Sequence, residues 1–476
     1  MNLSDLKKDS YLSLPEIFYD KVSPSPLNNP FLVHFNKEFA SEIGFVYTKD
    51  EHDQLVRFIN GEDIKGLDPF AMVYAGHQFG HFVPRLGDGR AINLGVLNGY
   101  RLQTKGSGRT LYSRDGDGRA VLRSSIREYL VSEAMHSLGI ETTRALAIIG
   151  SKHRVYREKW ESGAIVLRAS PTWIRFGSFE YFAYSGRIDE LKLLIDFTIK
   201  DSFLHLLGED DRYIKLFEEV VDKTALMVAK WMSVGFSHGV MNTDNFSIFG
   251  LSIDYGPFSF MDDYNPNFIC NHTDREGRYS FSNQPQIAYW NLLALVEAFS
   301  KVIKRDSLLE IIKSFEDRFN SYNIDLVREK LGLEQKFEDD INLMKVLFSV
   351  MAQERVDFTL FFRTISSYNS DRSDIKKLFK TTCMIDDWLD LYDDRLKLEK
   401  CSHEQRVQKL KKINPKYILK NYMLQEAIDK AELGDFSGVD DLFRLAKDPF
   451  SEHPFFERYA KATPKEFSGM KLSCSS

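Results

Sequence analysis

Apolar residues recur along this chain at two different periods. Between residues 71 and 170 they gather in short runs punctuated by glycine, at 91–97, 100–105, 145–150 and 164–168. Runs of that length, bounded by turn-forming residues, predict strands. Inside this region residues 121–138 change period. Leu122, Ile126, Leu130, Ala134 and Leu138 recur every fourth position, and Gly139 follows as a stop, so the segment predicts one helix. From about residue 185 the helical period takes over. Residues 213–234 place Leu216, Val220, Val228 and Trp231 at helical spacings before Gly235, and 286–303 predicts another helix. Segment 236–260 interrupts them with short strands and loops. Beyond 320 nearly everything reads as charged helix. Before residue 71, Pro15, Pro24, Pro26 and Pro30 lead into an apolar stretch at 30–43, which predicts an arm that packs onto something else. The last six residues, 471–476, carry few apolar groups and read as mobile.

These patterns give an α+β chain in four parts: an N-terminal extension (1–70), a strand-rich part (71–184), a helical part holding the interrupted segment (185–320), and a C-terminal helical region (321–476). At 476 residues the chain is long enough to fill the cores of two or three domains. Its 63 basic and 69 acidic residues nearly balance, which argues against a nucleic-acid partner while leaving room for a local phosphate pocket. No run of 18 apolar residues suggests a membrane span, and residues 1–20 resemble neither a signal nor a transit peptide. Four cysteines without a close pair argue against a zinc site or a disulfide framework. The expectation is a cytoplasmic monomer.

Candidate chemistry sits in the interrupted segment. His238-Gly239 is followed by Asp244-Asn245, and nine residues after Asn245 comes Asp254-Tyr255-Gly256. This resembles the catalytic half of a protein kinase, where an Asn and the Asp of Asp-x-Gly hold Mg²⁺ and an Asp five residues before that Asn takes the acceptor proton. Here Val240 stands at the base position, so Asn245 and Asp254 remain as metal ligands and Asp244 is the nearest substitute carboxylate. Upstream, Gly87-Asp88-Gly89-Arg90 precedes a strand, where glycines let backbone N–H groups approach a phosphate. Taken alone it is equally a hairpin turn. Lys105 ends the next strand, and Glu128 lies 23 residues on, within the predicted helix, where a kinase keeps its Lys–Glu pair. The order of these motifs, strands first and helices after, is that of a two-lobed kinase. Arg90, Arg168 and Arg175 add positive charge, which suits a leaving pyrophosphate better than ADP.

The motifs also resemble those of the selenoprotein O, or YdiU, family: Tyr74-Ala-Gly-His-Gln-Phe-Gly80, Leu86-Gly-Asp-Gly-Arg90, Lys105-Gly-Ser-Gly-Arg-Thr110, Asp115-Gly-Asp-Gly-Arg119, Gly239-Val-Met-Asn-Thr-Asp-Asn245 and Ile253-Asp-Tyr-Gly-Pro-Phe258. The resemblance runs from about residue 30 to the end. It implies a protein-kinase-like two-lobe fold that binds ATP end for end and transfers AMP to Ser, Thr or Tyr hydroxyls of other proteins, redox proteins among the partners. UTP is the alternative donor; ordinary phosphorylation and a non-catalytic nucleotide-binding scaffold are the other readings. By resemblance Lys105, Arg168 and Arg175 bind the buried phosphates, with Glu128 paired to Lys105. Gly87, Gly89, Arg90, Asp117, Gly118 and Asp254 complete the nucleotide site. Asn245 and Asp254 bind Mg²⁺, or Mn²⁺, and Asp244 accepts the proton.

Three further features carry alternatives. Cys474, third from the end, stands where eukaryotic relatives place selenocysteine, and a Cys270–Cys474 disulfide or two unpaired thiols are both open. His77 and His81 have the spacing of a zinc helix, but no third ligand is evident and a structural role is favoured. The lysines of 409–420 read as a solvated helix face rather than a nucleic-acid patch.

Overall fold

In the computed structural model, residues 5–46, 48, 51–467 and 469–470 are described. One eight-stranded sheet organises the first part of the chain. Its strands are β1 (Tyr19–Lys21), β2 (Pro30–Phe35), β3 (Phe70–Met72), β6 (Ala91–Leu97), β7 (Tyr100–Lys105), β8 (Ala120–Val121), β9 (Arg144–Tyr156) and β10 (Trp160–Ser170). They run in the order β1-β3-β6-β7-β10-β9-β2, with β8 beside β10. A separate hairpin joins β4 (Gly76–Gln78) to β5 (His81–Val83). The proline-rich first segment thus supplies both end strands of the sheet order.

β9 and β10 each carry an unbroken apolar run, at 145–149 and 164–167, because both faces are covered there. Ile148 and Val166 face one core with Ile126 and Leu130 of helix α3 (Leu122–Ser137). Their chain neighbours Ile149 and Ile165 face another, with Phe39 of α1 (Lys37–Glu42) and Phe58 of α2 (His52–Ile59). The two-residue alternation of a strand therefore sorts adjacent residues into two separate cores.

Helices dominate from Phe176 onward. α4 (Phe176–Tyr184) and α5 (Ile188–Ser202) precede α6 (Arg212–Ser233), which buries Leu216, Val220, Val228 and Trp231. β11 (Phe236–Ser237) and β12 (Ser259–Phe260) bracket the interrupted segment, and α7 (Gln284–Phe299) follows. α8 (Arg305–Lys313) and α9 (Phe315–Leu331) pack on α6. A third core gathers Leu347, Phe361 and Trp388 from α10 (Asp340–Glu354), α11 (Phe358–Ile365) and α13 (Cys383–Leu396), with the short α12 (Ser373–Lys376) beside them. After α14 (His403–Ile413), the last two helices, α15 (Asn421–Glu432) and α16 (Ser437–Lys447), return to α3, where the Phe443 and Tyr129 rings stack at 5.5 Å. Among the described residues no helix is long and apolar enough to cross a membrane.

One alternative falls away and one expectation needs correction. His77 and His81 lie on facing strands of a hairpin rather than on a helix, and His77 Nδ1 lies 3.2 Å from Glu180. The lysine-rich stretch is a helix face only as far as Ile413. Beyond it Lys420 turns inward to Asp357 at 2.6 Å, because a carboxylate is buried there to receive it.

Candidate active site

The candidate catalytic segment starts where α6 stops. Gly235 has φ +69°, a left-handed turn that favours glycine, and β11 follows at once. His238 is buried, and its ring nitrogen meets the Ile253 carbonyl at 3.0 Å, which ties the start of the loop to the residue before Asp254. Burial holds its pKa below the usual histidine value. This histidine is a structural strut. Further along, Asn242 Oδ1 accepts from the Phe79 amide (3.1 Å) and the Tyr279 hydroxyl (2.7 Å), while Thr243 Oγ1 accepts from the His77 amide at 2.7 Å. The β4–β5 hairpin therefore buttresses the loop that carries Asp244 and Asn245.

Asp254 lies in a cage of cations. Its φ of +55° is a backbone conformation that a non-glycine residue seldom adopts. One carboxylate oxygen accepts from Arg168 (2.7 Å) and lies 3.6 Å from Lys105; the other accepts from Arg175 (2.6 Å). Glu128 on α3 completes the set, at 2.6 Å from Lys105 and 2.8 Å from Arg168. The register of β10 on β7 brings these groups together, with Arg168 opposite Gln103 and Val166 opposite Lys105. Gln103 Oε1 takes two further donors of Arg168, at 2.9 and 2.6 Å. Arg168 also lies over Trp173 and Arg175 over Tyr74, each 4.5 Å from the ring centroid. Burial alone would raise the pKa of Asp254; Arg168, Arg175 and Lys105 overcome that and hold it well below the carboxylate range.

Asp244 has the opposite surroundings. Gln78 donates to one carboxylate oxygen at 3.3 Å, and the other, Oδ1, is buried without a hydrogen-bond partner. Arg175 donates to the backbone carbonyl of Asp244 at 2.9 Å instead of to its side chain. Gly76 packs so closely that a Cβ there would lie 2.6 Å from Oδ1. Burial pushes the Asp244 carboxyl up to about 7, with Gln78 and Arg175 offsetting only part of the effect.

Both carboxylates open onto one cleft of about 760 Å³. Its walls include Gly87, Gly89, Arg90, Lys105, Asp117, Gly118, Arg168, Asn245 and Val240. Gly87 (φ +106°) sits under the Tyr112 ring, where a Cβ would come within 2.4 Å. Arg90 is exposed and, among the described residues, pairs with no acidic side chain. Asp117 lines the cleft while both its oxygens accept from Arg157, at 2.9 and 2.8 Å. Glu128 and Arg175 stand behind the lining residues and reach the cleft through Asp254, Lys105 and Arg168.

The donor set for a metal is small. Among the described residues no group of three His, Cys, Asp or Glu side chains gathers. Asn245 donates its amide nitrogen to Val240 O at 3.0 Å, which leaves its oxygen to face elsewhere. With the Asp254 carboxylate and the unpartnered Asp244 Oδ1 nearby in the same cleft, the residues fit a hard cation that takes one or two protein ligands beside phosphate oxygens. Cys270 is a buried free thiol, 3.5 Å from Ser237 Oγ and pushed up to about 11 by burial. Its suggested partner, Cys474, lies outside the described residues.

Spacing along the sequence missed Gly76, Gln78, Gln103 and Trp173 as site residues. For Gln103 a signal existed: it stands two positions before Lys105, hence on the same face of β7.

A model of the family described as "Protein adenylyltransferase SelO" matches residues 4–447. The chain is 47% identical over 473 residues to a protein nucleotidyltransferase YdiU of Aliivibrio fischeri (strain ATCC 700601 / ES114), covering 98% of each. To the protein of the same name from Myxococcus xanthus (strain DK1622) it is 44% identical over 485 residues, covering 100% of this chain and 99% of that one. The likeness to the protein of that name from Thioalkalivibrio sulfidiphilus (strain HL-EbGR7) is 45% over 489 residues.

Proposed function

Because the chain belongs to the protein adenylyltransferase SelO family, we propose that its cleft moves AMP from ATP to hydroxyl side chains of other proteins. The chain is an enzyme, a protein nucleotidyltransferase. The observation that carries the finer reading is the cage itself. Lys105, Arg168 and Arg175 converge on two carboxylates, Glu128 and Asp254, at the cleft, and Val240 lines it where a kinase keeps its base. A fixed cationic surplus there suits a pyrophosphate leaving group, so the β- and γ-phosphates point inward and the α-phosphate lies nearer the acceptor.

In this reading the acceptor oxygen attacks the α-phosphorus, and the bond from that phosphorus to the bridging oxygen of the β-phosphate breaks. Pyrophosphate leaves against Lys105 and Arg168, with Arg175 adding its charge from behind them. The hydroxyl proton passes to Asp244, whose pKa of about 7 suits it to hold or release a proton near neutrality. Arg90, the glycines at 87, 89 and 118, and Asp117 shape the rest of the nucleotide site. Asn245 and Asp254 would hold Mg²⁺, or Mn²⁺, which when bound neutralises phosphate charge.

The architecture that goes with this reading is the two-lobe kinase plan. Residues 1–70 form an extension on the core, 71–184 the phosphate-binding lobe, 185–320 the lobe of the catalytic loop, and 321–476 an appended helical region. The enzyme would act as a cytoplasmic monomer on Ser, Thr or Tyr of its protein substrates, redox proteins among them.

Mass spectrometry of an acceptor protein incubated with enzyme, Mg²⁺ and either ATP or UTP tests this. An adenylyl adduct from ATP supports the reading. A phosphoryl adduct would make the enzyme an ordinary kinase, a uridylyl adduct formed only from UTP would change the donor, and nucleotide binding without any adduct would leave a scaffold.

A further inference from the structure

The cleft has an outer wall that the phosphate site does not use. Tyr156 lines it at the end of β9, directly opposite Trp160 at the start of β10. The two rings are each 60% exposed and meet edge-on, with centroids 5.4 Å apart. Two adjacent aromatic rings held in water are an unused apolar surface. The other aromatic residues of the cleft are occupied. Tyr74, Tyr112 and Tyr255 are buried, and Phe79 packs against Tyr279 at 5.1 Å. Among the described residues that line the cleft, Tyr156 alone offers an open aromatic face.

Its position along the sheet is telling. Lys105 pairs with Val166 on β10, and Tyr156 pairs with Trp160 on the same strand, six residues away. At about 3.3 Å per residue the two positions stand roughly 20 Å apart along the strand. An extended nucleoside triphosphate spans much of that distance from its terminal phosphate to its base.

The platform is also fixed in place. Arg157, the next residue, donates to both oxygens of Asp117 and to the carbonyls of Tyr156 and Arg119, the last two at 2.8 Å. The hairpin end is thereby anchored to the glycine loop at 115–118, which lines the same cleft.

We propose that Tyr156, braced by Trp160, is the surface on which the nucleobase stacks, and that it favours a purine over a pyrimidine. This rests on the nucleotidyl-transfer reading of the cleft. A purine covers more of a phenol ring than uracil does, and one base on one aromatic side chain gains enough to matter for affinity. An inorganic polyphosphate, which has no base, would bind to the cation cage and ignore Tyr156.

Equilibrium binding of ATP, UTP and inorganic tripolyphosphate to wild type, Tyr156→Ala and Tyr156→Phe tests the assignment. Tyr156→Ala is expected to weaken ATP binding about tenfold, UTP binding less, and tripolyphosphate binding not at all. Tyr156→Phe, which keeps the ring, should behave as wild type. Unchanged ATP binding in Tyr156→Ala, or equal losses for ATP and tripolyphosphate, would overturn the proposal. So would a fall in kcat/KM for the acceptor protein with nucleotide binding intact, which would make the aromatic pair a protein-docking surface. If wild type binds ATP more tightly than tripolyphosphate but transfers no AMP, the function reading fails while the platform stands.

Discussion

Asp254 and Asp244 share one cleft and differ in what surrounds them. Asp254 has Arg168 and Arg175 on its two oxygens and Lys105 close by, so it stays ionised far below neutrality. Asp244 is more fully buried and its carboxylate receives only the Gln78 amide, and its pKa rises to about 7. Arg175 separates the two cases: it gives its donors to the carboxylate of one and the backbone carbonyl of the other. Burial alone therefore does not fix the role of a carboxylate; the placement of the cations does. One aspartate is a permanent charge that can hold a metal and order its neighbours, and the other can exchange a proton.

Breaking the permanent charge should have the largest effect. Asp254→Ala removes the proposed metal ligand, takes the acidic side-chain partner from Arg175 and leaves Arg168 with Glu128 alone. The loss in AMP transfer should exceed the roughly 10²–10³-fold that follows removal of one preorganised electrostatic partner. Initial-rate assays with purified variant check this, with circular dichroism to confirm folding. Asp244→Asn should cost less, roughly 10²-fold in kcat, since the proton acceptor matters less than positioning and charge in a loose transition state. Equal losses in the two variants would contradict the division of roles. Glu128→Gln sharpens the same comparison from the far side of the cage. It keeps the shape but removes the negative charge shared by Lys105 and Arg168, and should lower kcat/KM about tenfold.

Stability gives a separate comparison, and its sign differs between the two residues. For Asp244 the folded pKa of about 7 lies above the ordinary 3.8, so the folded protein keeps a proton that the unfolded chain has lost. Stability falls as pH rises through that window, by up to roughly 4 kcal/mol once pH passes 7. Asp244→Asn should therefore be more stable than wild type at pH 8, and the gain should vanish near pH 4. For Asp254 the folded pKa is depressed, so its contribution is present above the ordinary carboxylate value and is lost as pH falls through the folded one. Thermal melts at pH 4 and pH 8 decide the sign for Asp244, and melts carried on below pH 3.8 decide it for Asp254.

The sequence made some of this legible and hid the rest for identifiable reasons. The helix at 121–138 could be read from its four-residue period and Gly139, and α3 spans Leu122–Ser137. The strands expected at 145–150 and 164–168 extend to Arg144–Tyr156 and Trp160–Ser170. Their outer halves carry Lys152, His153 and Arg154 and leave the core, so no apolar run marked them. That lost half holds Tyr156, the residue assigned to the base. Among the candidate site residues, the order of motifs picked out Lys105, Asn245 and Asp254, which line the cleft, and Glu128, which pairs with Lys105. The contacts of Gly76 and Gln78 with Asp244 were not, because spacing encodes no contact between residues so far apart along the chain, 166 positions for Gln78. Without those contacts the raised pKa of Asp244 could not be inferred, although its place before Asn245 singled it out.

The most direct test of the contrast is the pH dependence of label transfer from α-labelled ATP to protein, for wild type and Asp244→Asn. The account predicts that wild-type kcat/KM rises with unit slope at low pH and levels off near 7, while the variant is slow and lacks that limb. The same limb in both proteins, or label that arrives only from the γ-phosphate, would contradict it.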